Sequence, residues 1–342
     1  GIPTTRALCL IGSSDEVYRE QIETGAMITR LAPSHVRFGS FEVFYYRDQH
    51  DSIRTLADYV IGQHYSELAD RPDRYLKFLH AVVEHTARLL AQWQAVGFAH
   101  GVMNSDNMSI LGLTLDYGPY GFMEAYNPGF ICNHSDHHGR YAFDRQPKIG
   151  LFNLSCLAQT LLPLIEVDEA SAALETYWGL FTAHYHRLMA QKIGFEQMDE
   201  QALSLLQALL AQMQQSHTDY SLWFRALGNV ERDTDRPLTA WRDRFVDRDR
   251  FDRWLADYRA RLRTHAKADP ERRPAMMAAN PKYVLRNYLA QIAIEKAEHG
   301  DNSEIERLLT VLRAPFDEHA GQEQYAKPAP DSVGPVQVSC SS

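Results

Sequence analysis

Cysteine is scarce in this chain of 342 residues, and its four cysteines lie far apart. They are Cys9, Cys132, Cys156 and Cys340, and no two of them form a C-x-x-C pair. Zinc ribbons and disulfide frameworks need closely spaced cysteines, so both are disfavoured. A reducing compartment is the default for such a chain, and we expect a cytoplasmic protein.

A long apolar run and an excess of positive charge are also missing. No stretch of about 18 apolar residues occurs, so no membrane-spanning helix is expected. The formal net charge is −9, which argues against a broad nucleic-acid-binding surface. The chain is 45% hydrophobic and 23% charged, which is typical of a globular protein with one large or two modest domains.

The most informative pattern that is present begins at His100. From there the sequence reads H-G-V-M-N-S-D-N, and a D-Y-G triplet follows at Asp116. The catalytic loop of a protein kinase reads H-R-D-x-x-x-x-N and precedes a D-F-G triplet. When His100 is laid on the loop histidine, Asn107 falls on the metal-binding asparagine. The usual catalytic aspartate is replaced by Val102, which cannot take a proton, and an aspartate stands at Asp106 instead.

Asn107 and Asp116 are the candidate metal ligands. Mg²⁺ prefers oxygen ligands, commonly one or two protein carboxylates together with phosphates and water. An asparagine carbonyl and an aspartate carboxylate from adjacent loop ends would supply such a set. The alternative is that both are ordinary turn residues, since Asn and Asp are common in turns.

Four segments resemble the selenoprotein O (SelO) family, and the resemblance runs over nearly the whole chain. They are HGVMNSDNMSILGLTLDYGPYGFMEAY (His100–Tyr126), TRLAPSHVRFGSFE (Thr29–Glu42), ICNHSDHHGRYAF (Ile131–Phe143) and the terminal Ser-Cys-Ser-Ser. The resemblance implies a kinase-like enzyme that binds ATP in an inverted orientation. Such an enzyme transfers AMP, rather than a phosphate, to hydroxyl side chains of proteins, with Mg²⁺ or Mn²⁺. UTP could also serve as the donor.

The resemblance also implies roles for individual residues. Asp106 would be the proton acceptor, and the alternative is that it orients the loop or supports the metal. Arg30 and Arg37 would contact the terminal phosphate, and Asp116 would help to bind the nucleotide through the metal. An arginine presents a planar fork that matches phosphate oxygens, although surface or ion-pair arginines are the ordinary alternative.

A redox pair is a further hypothesis. In animal members of the family, selenocysteine occupies the terminal motif in which this chain has Cys340. A thiol near a chain end can reach another across a surface, and Cys132 is the natural partner, so we expect a reversible Cys132–Cys340 disulfide. The alternative is an unpaired tail thiol. Nearby, the C-N-H-S-D-H-H run fits no helix-based zinc motif, and a substrate-facing or packing role is favoured for it.

We predict an α+β, protein-kinase-like fold that consists mostly of the helical C-lobe. Residues 1–45 would be a two-strand remnant of the N-lobe, residues 46–314 the C-lobe with its catalytic and metal loops, and residues 315–342 a flexible tail ending in Ser-Cys-Ser-Ser. Short strands are predicted at Ala7–Gly12, Thr24–Leu31 and Ile110–Leu115, and an irregular segment at Gly118–Ile149. The predicted helices are Asp51–Tyr65, Pro72–Val96, Leu151–Ile165, Glu169–Ile193, Asp199–Gln215, Leu238–Lys267, Pro281–Glu298 and Ser303–Leu312.

No lysine precedes Lys77, and no glycine-rich loop precedes His100. A kinase-like site needs both over its phosphates, so we expect a chain that lacks its N-terminal part. Two other functions stay open, namely a catalytically silent pseudokinase that acts as a binding module, and a kinase that transfers the γ-phosphate. We expect protein substrates with hydroxyl acceptors, a nucleoside triphosphate, no nucleic acid, no membrane, and a monomer.

Overall fold

A computed structural model describes residues 1–18, 22–330, 336 and 338 of the chain. The protein is helix-rich with two small antiparallel sheets, which agrees with the predicted α+β class. The strands are β1 (Arg6–Tyr18), β2 (Ile22–Leu31), β3 (Phe98–Ala99) and β4 (Gly121–Phe122). The helices are α1 (Phe38–Tyr45), α2 (His50–His64), α3 (Arg74–Val96), α4 (Gln146–Leu161), α5 (Val167–Glu175), α6 (Tyr177–Lys192), α7 (Glu200–Gln215), α8 (Tyr220–Leu227), α9 (Thr239–Arg242), α10 (Arg248–His265), α11 (Asp269–Ala279), α12 (Asn287–Glu298) and α13 (Ser303–Arg313).

Helix α3 is the centre of the largest core. Its apolar residues recur at three- and four-residue steps, and this face is buried against α4, α5 and α6. The helix ends at Gly97, which has a left-handed φ of 73°. A Cβ there would also lie only 3.0 Å from the ring of Tyr220, so glycine suits both the backbone and the packing. The predicted helix and its glycine stop are confirmed, and they deliver the chain directly to His100.

Two smaller cores complete the described part of the molecule. One lies around α7, α8 and α10 and contains the buried rings of Trp223 and Trp254. The other joins α12 and α13 to residues on both sides of them in the chain, including Tyr283 before α12 and Tyr325 after α13. None of the helices within the described ranges combines the length and apolar character needed to cross a membrane.

Strands β1 and β2 form a two-stranded antiparallel ribbon. The register pairs Arg6 with Leu31 and Tyr18 with Ile22. The predicted strands are therefore present but longer than expected. Much of the ribbon's apolar surface faces solvent, with Leu10 70% and Met27 68% exposed. Such a ribbon gains little from burial, because an isolated pair of strands is only marginally stable in water.

Several predicted elements were wrong in extent or kind. Ile110–Leu115 is not a strand, because Gly112 takes a left-handed φ of 65° and only isolated bridges join this stretch to its neighbours. The helices predicted at Glu169–Ile193 and Leu238–Lys267 are each interrupted, giving α5 with α6 and α9 with α10. Helix α4 begins earlier than predicted, α12 begins later, and α8 and α11 were not predicted.

The beginning of the predicted tail packs against the protein. Tyr325 and Ala326 are buried in the third core, within a short 3₁₀ turn at Glu323–Ala326. The carbonyl of Phe316 accepts a hydrogen bond from Arg225. Packing therefore continues well beyond residue 314, and the division into a remnant lobe, a C-lobe and a tail stays a prediction.

Candidate active site

His100 anchors the loop that follows α3. Its side chain is fully buried, Nε2 donates to the carbonyl of Leu115 at 2.6 Å, and Nδ1 accepts from the Val102 N–H at 3.3 Å. Burial lowers the pKa of His100 to about 4, so the imidazole is neutral near pH 7 and both contacts fit one tautomer. His100 therefore fixes the spacing between its own loop and the residue before Asp116.

The side-chain amide of Asn107 is held in one orientation. Its Nδ2 donates to the carbonyl of Val102 at 2.9 Å, across the turn of the loop. Among the hydrogen bonds of the described residues, none uses Oδ1 of this amide. The loop thus leaves an oxygen, the donor atom that Mg²⁺ prefers, as the available end of the side chain.

Helix α1 supports the loop from the other side. The Phe38 N–H donates to the carbonyl of Met108 at 2.9 Å, and Arg37 Nη1 donates to the carbonyl of Asp106 at 2.8 Å. Ser105 Oγ donates to the carboxylate of Glu42 on the same helix. Three successive parts of the loop are therefore tied to one short helix.

Gly39 on α1 lies directly beneath the Asp106 carboxylate. A Cβ at this position would overlap Asp106 Oδ1 and lie 2.9 Å from its Cγ. Because Asp106 itself is exposed, its carboxylate lies against the backbone of α1 and is also accessible to solvent. Glycine at position 39 makes that placement possible.

Arg30, Arg37 and Asp116 converge in one cluster. Arg30 Nη1 contacts one oxygen of the Asp116 carboxylate, and Arg37 Nη1 lies 2.5 Å from the other. All three side chains are about one quarter to one third exposed. Asp116 has a left-handed φ of 48°, a conformation that aspartate tolerates better than most residues. Arg37 thus bridges Asp116 to the loop that carries Asp106.

The segment after Asp116 packs beneath the start of the loop. Cys132 is buried with its Sγ 3.4 Å from the Ala99 carbonyl, and Asn133 Nδ2 donates to the Gly101 carbonyl at 3.1 Å. Gly101 is left-handed, with a φ of 84°, and a Cβ there would lie 2.9 Å from Cys132 Sγ. The His134 N–H donates to the carbonyl of Val338 at 2.8 Å. Cys340 lies outside the described residues, so the Cys132–Cys340 disulfide stays a prediction.

Sequence reasoning missed four residues that hold the loop. Gly39 and Glu42 stand in the T-R-L-A-P-S-H-V-R-F-G-S-F-E segment, but nothing in their type indicated that they face the loop. Gln146 accepts from the His100 N–H at 2.9 Å, and Asn153 Nδ2 donates to the Met103 carbonyl at 2.9 Å. Both are buried on α4, and their roles depend on tertiary contacts that no local pattern reports.

Comparison with known proteins assigns the family. The family model described as protein adenylyltransferase SelO matches residues 1–313. The chain is 54% identical over 342 residues to the protein nucleotidyltransferase YdiU of Myxococcus xanthus (strain DK1622), covering 100% of this chain and 70% of that protein. It is 55% identical over 348 residues to the YdiU protein of Thioalkalivibrio sulfidiphilus (strain HL-EbGR7), with the same coverage.

A third relative, the YdiU protein of Herminiimonas arsenicoxydans, is 52% identical over 343 residues and is covered to 69% of its length. These matches put the chain in the nucleotidyltransferase class of enzymes. The chain belongs to the protein adenylyltransferase SelO family. The predicted family is therefore confirmed.

Proposed function

We propose that this chain transfers AMP from ATP, or UMP from UTP, to Ser, Thr or Tyr hydroxyls of other proteins. The kinase-like reading of residues 100–118 is part of this proposal, with the nucleotide bound in the inverted orientation. The observation that carries it is the convergence of Arg30, Arg37 and Asp116 beside the loop of Asp106. Two positive charges that meet at one carboxylate, with the Asp106 loop joined to them through Arg37, suit a reaction on a polyphosphate.

Arg30 and Arg37 would bind the terminal phosphate of the donor. In the structure both guanidinium groups are ion-paired with Asp116, so their charges are already directed to one place. Bidentate contact with phosphate oxygens would hold the far end of the nucleotide. The α-phosphate would then face the solvent side, where an acceptor protein can approach.

The donor atoms at the site fit a divalent cation. Asp116 offers a carboxylate and Asn107 offers its Oδ1, and these hard oxygens match Mg²⁺ or Mn²⁺. When bound, the cation would neutralise charge that develops on the phosphate oxygens. To bind the cation, Asp116 would have to give up at least part of its contact with the two arginines. The phosphates of the donor would then pair with the arginines in its place.

Asp106 would act as the general base. It would take the proton of the acceptor hydroxyl while that oxygen bonds to the α-phosphorus, and the bond from the α-phosphorus to pyrophosphate breaks. Its exposed carboxylate above Gly39 supports this role. The position of the usual kinase base is held by Val102, whose backbone is engaged by His100 and Asn107 and whose side chain cannot take a proton.

We expect transfer of label from α-labelled ATP, but not from γ-labelled ATP, to acceptor proteins of a bacterial extract in the presence of Mg²⁺ or Mn²⁺. Two proteins would be assayed. One is this chain alone, and the other is a chimaera of the Myxococcus xanthus relative in which this chain replaces the matching segment. Asp116→Ala should abolish the transfer, whereas Asp70→Ala, a change of an exposed loop aspartate, should not. Transfer of the γ-label would establish a kinase instead. Nucleotide binding without transfer of either label would indicate that the chain is a catalytically silent binding module.

We further expect that Gly39→Ala lowers the transfer rate by about 10- to 100-fold, because the added methyl group displaces the Asp106 carboxylate by a distance that matters for reactivity. Gly62→Ala is the matched control. Gly62 is also helical, and a Cβ there meets nothing within 4 Å. The control should keep full activity and gain up to about 1 kcal/mol of stability. Equal rates for the two variants would show that Asp106 does not act as the base in the transfer reaction.

A further inference from the structure

A basic cleft lies beside the candidate site, in the irregular segment after Asp116. Its volume is about 690 Å³. The residues that line it are Ser135, Asp136, His137, His138, Arg140, Arg145, Lys148 and Ile149. Three permanent positive charges and two histidines therefore surround a single carboxylate, on a chain whose net charge is −9.

The one carboxylate that lines the cleft, that of Asp136, accepts hydrogen bonds from the backbone. Asp136 Oδ1 accepts from the Arg140 N–H and Oδ2 accepts from the Tyr141 N–H, each at 2.8 Å. Both oxygens hold the turn in place, and the single negative charge of Asp136 is outnumbered by the three permanent positive charges of the lining. The cleft keeps an excess of positive charge.

Two of the basic side chains are held before any partner arrives. The Arg140 guanidinium lies 5.7 Å from the ring centre of Tyr141 and 5.4 Å from that of Phe152. Arg145 Nη1 donates to the carbonyls of His138 and Gly139 at 3.1 and 2.9 Å, while the rest of its guanidinium has no such contact in the described residues. Side chains that are already ordered lose less entropy on binding, which favours affinity.

Helix α4 connects the cleft to the loop of Asp106. Lys148 stands in its first turn, and Phe152, which supports Arg140, lies one turn further along. The next residue, Asn153, donates to the Met103 carbonyl of the loop at 2.9 Å. The same helix therefore lines the cleft at its start and supports the loop that presents Asp106 one turn further on.

We propose that this cleft docks an acidic stretch of the protein that receives the nucleotide, and this rests on the proposed function. Carboxylates match the fork of arginine and the charge of lysine, and a local basic cleft on a chain with a net charge of −9 favours encounter with an acidic segment at this place. The proposal gives the substrate class a chemical definition, namely hydroxyl residues with Glu or Asp nearby in the sequence or on the surface.

The test is fluorescence anisotropy of the chain, without nucleotide, with a labelled peptide in which Glu and Gly alternate around one Ser. The same peptide with Lys in place of Glu is the ligand control. Lys148→Glu should weaken binding of the acidic peptide by about five- to tenfold, and added salt should weaken it further. Lys148 is exposed and a carboxylate suits the first turn of a helix, so this variant should keep its Tm.

Arg253→Glu is the matched variant, because Arg253 is exposed on α10 and outside the cleft. It should bind the acidic peptide as the unchanged chain does. Equal loss in both variants, or no binding of the acidic peptide, would overturn the proposal. Displacement of the peptide by tripolyphosphate at equal charge concentration would show a general anion site instead. Peptide binding that persists in a chain without transferase activity would refute the proposed function but not the docking cleft.

Discussion

Replacing Arg286 by methionine is expected to cost about 3–5 kcal/mol of unfolding free energy, because it leaves buried negative charge without a partner. Arg286 is only 1% exposed. Its Nη1 lies 2.7 Å from Asp219 Oδ2 and 3.2 Å from Glu124 Oε2. Asp219 is itself nearly buried, so water cannot take over the role of the guanidinium.

The position of Arg286 makes this ion-pair network a connection between distant parts of the chain. Asp219 caps α8 by accepting from the Leu222 N–H at 2.9 Å. Glu124 belongs to the irregular segment after Asp116, and its carboxylate also accepts from the Ala329 N–H at 3.1 Å. Losing Arg286 therefore affects a helix start, the segment beside the site and the residues after α13 together.

Urea unfolding would measure this effect, with Arg71→Met as the matched control. Arg71 forms an exposed ion pair with Asp73, and its loss should cost less than about 1 kcal/mol. Adding Asp219→Asn to Arg286→Met should recover part of the loss, because asparagine keeps the helix cap without the charge. A cost for Arg286→Met as small as that of the control would refute the argument.

Replacing Lys192 by methionine should stabilise the protein by about 3 kcal/mol at pH 7 and below. Lys192 is 3% exposed at the end of α6, and burial lowers its pKa from 10.5 to about 7. Burial that lowers the pKa this far costs roughly 5 kcal/mol, of which the rings of Tyr220 and Phe224, at 5.5 and 4.8 Å from Nζ, offset about 1–2 kcal/mol.

The pH dependence follows from the direction of the shift. The unfolded chain binds the Lys192 proton up to pH 10.5, whereas the folded protein releases it near pH 7. Between these values the unfolded state holds more protons, so this group makes stability rise with pH, and its cost is fully present below about pH 7. Burial raises the pKa of Tyr220 above its usual range, so this neighbour stays neutral over the same interval.

Urea unfolding of the unchanged chain and of Lys192→Met, from about pH 6 to about pH 10, would isolate this group, since other titrations cancel in the difference. The gain from the substitution should shrink as pH rises. Lys77→Met on the exposed side of α3 is the control, and its difference should stay flat over that range. A gain for Lys192→Met that does not change with pH would mean that packing, rather than charge, is responsible.

Local sequence patterns were sufficient to predict the structural elements that depend only on residues close together in the chain. The spacing of apolar residues predicted α3, and Gly97 predicted its end, because one face of that helix is buried along its whole length. The H-G-V-M-N-S-D-N run predicted a loop with Asn107 and Asp106 side by side. The family resemblance, rather than any periodicity, singled out Arg30, Arg37 and Asp116, but it did not indicate that the two arginines pair with this aspartate.

Other features could not be read from local patterns, for different physical reasons. The interruption between α5 and α6 falls at Thr176, whose Oγ1 donates to the Ala173 carbonyl, and no glycine or proline marks it. The start of α10 did carry a signal, since Asp247 accepts from the Arg250 N–H as a helix cap, and the prediction overlooked it. Arg286 and Lys192 resemble surface residues in the sequence, because only the folded chain surrounds them with Asp219 or with aromatic rings.

Two backbone connections to the candidate site come from remote parts of the chain. The Thr114 N–H donates to the Pro3 carbonyl at 3.0 Å, and the His134 N–H donates to that of Val338. Contacts between residues so far apart in sequence form slowly, because closing long loops must precede any gain from the contact. We therefore expect helices such as α3 to form early in folding and the surroundings of Asp116 to be completed last. During synthesis on a ribosome, the bridge to Val338 cannot form until nearly all of the described chain has emerged.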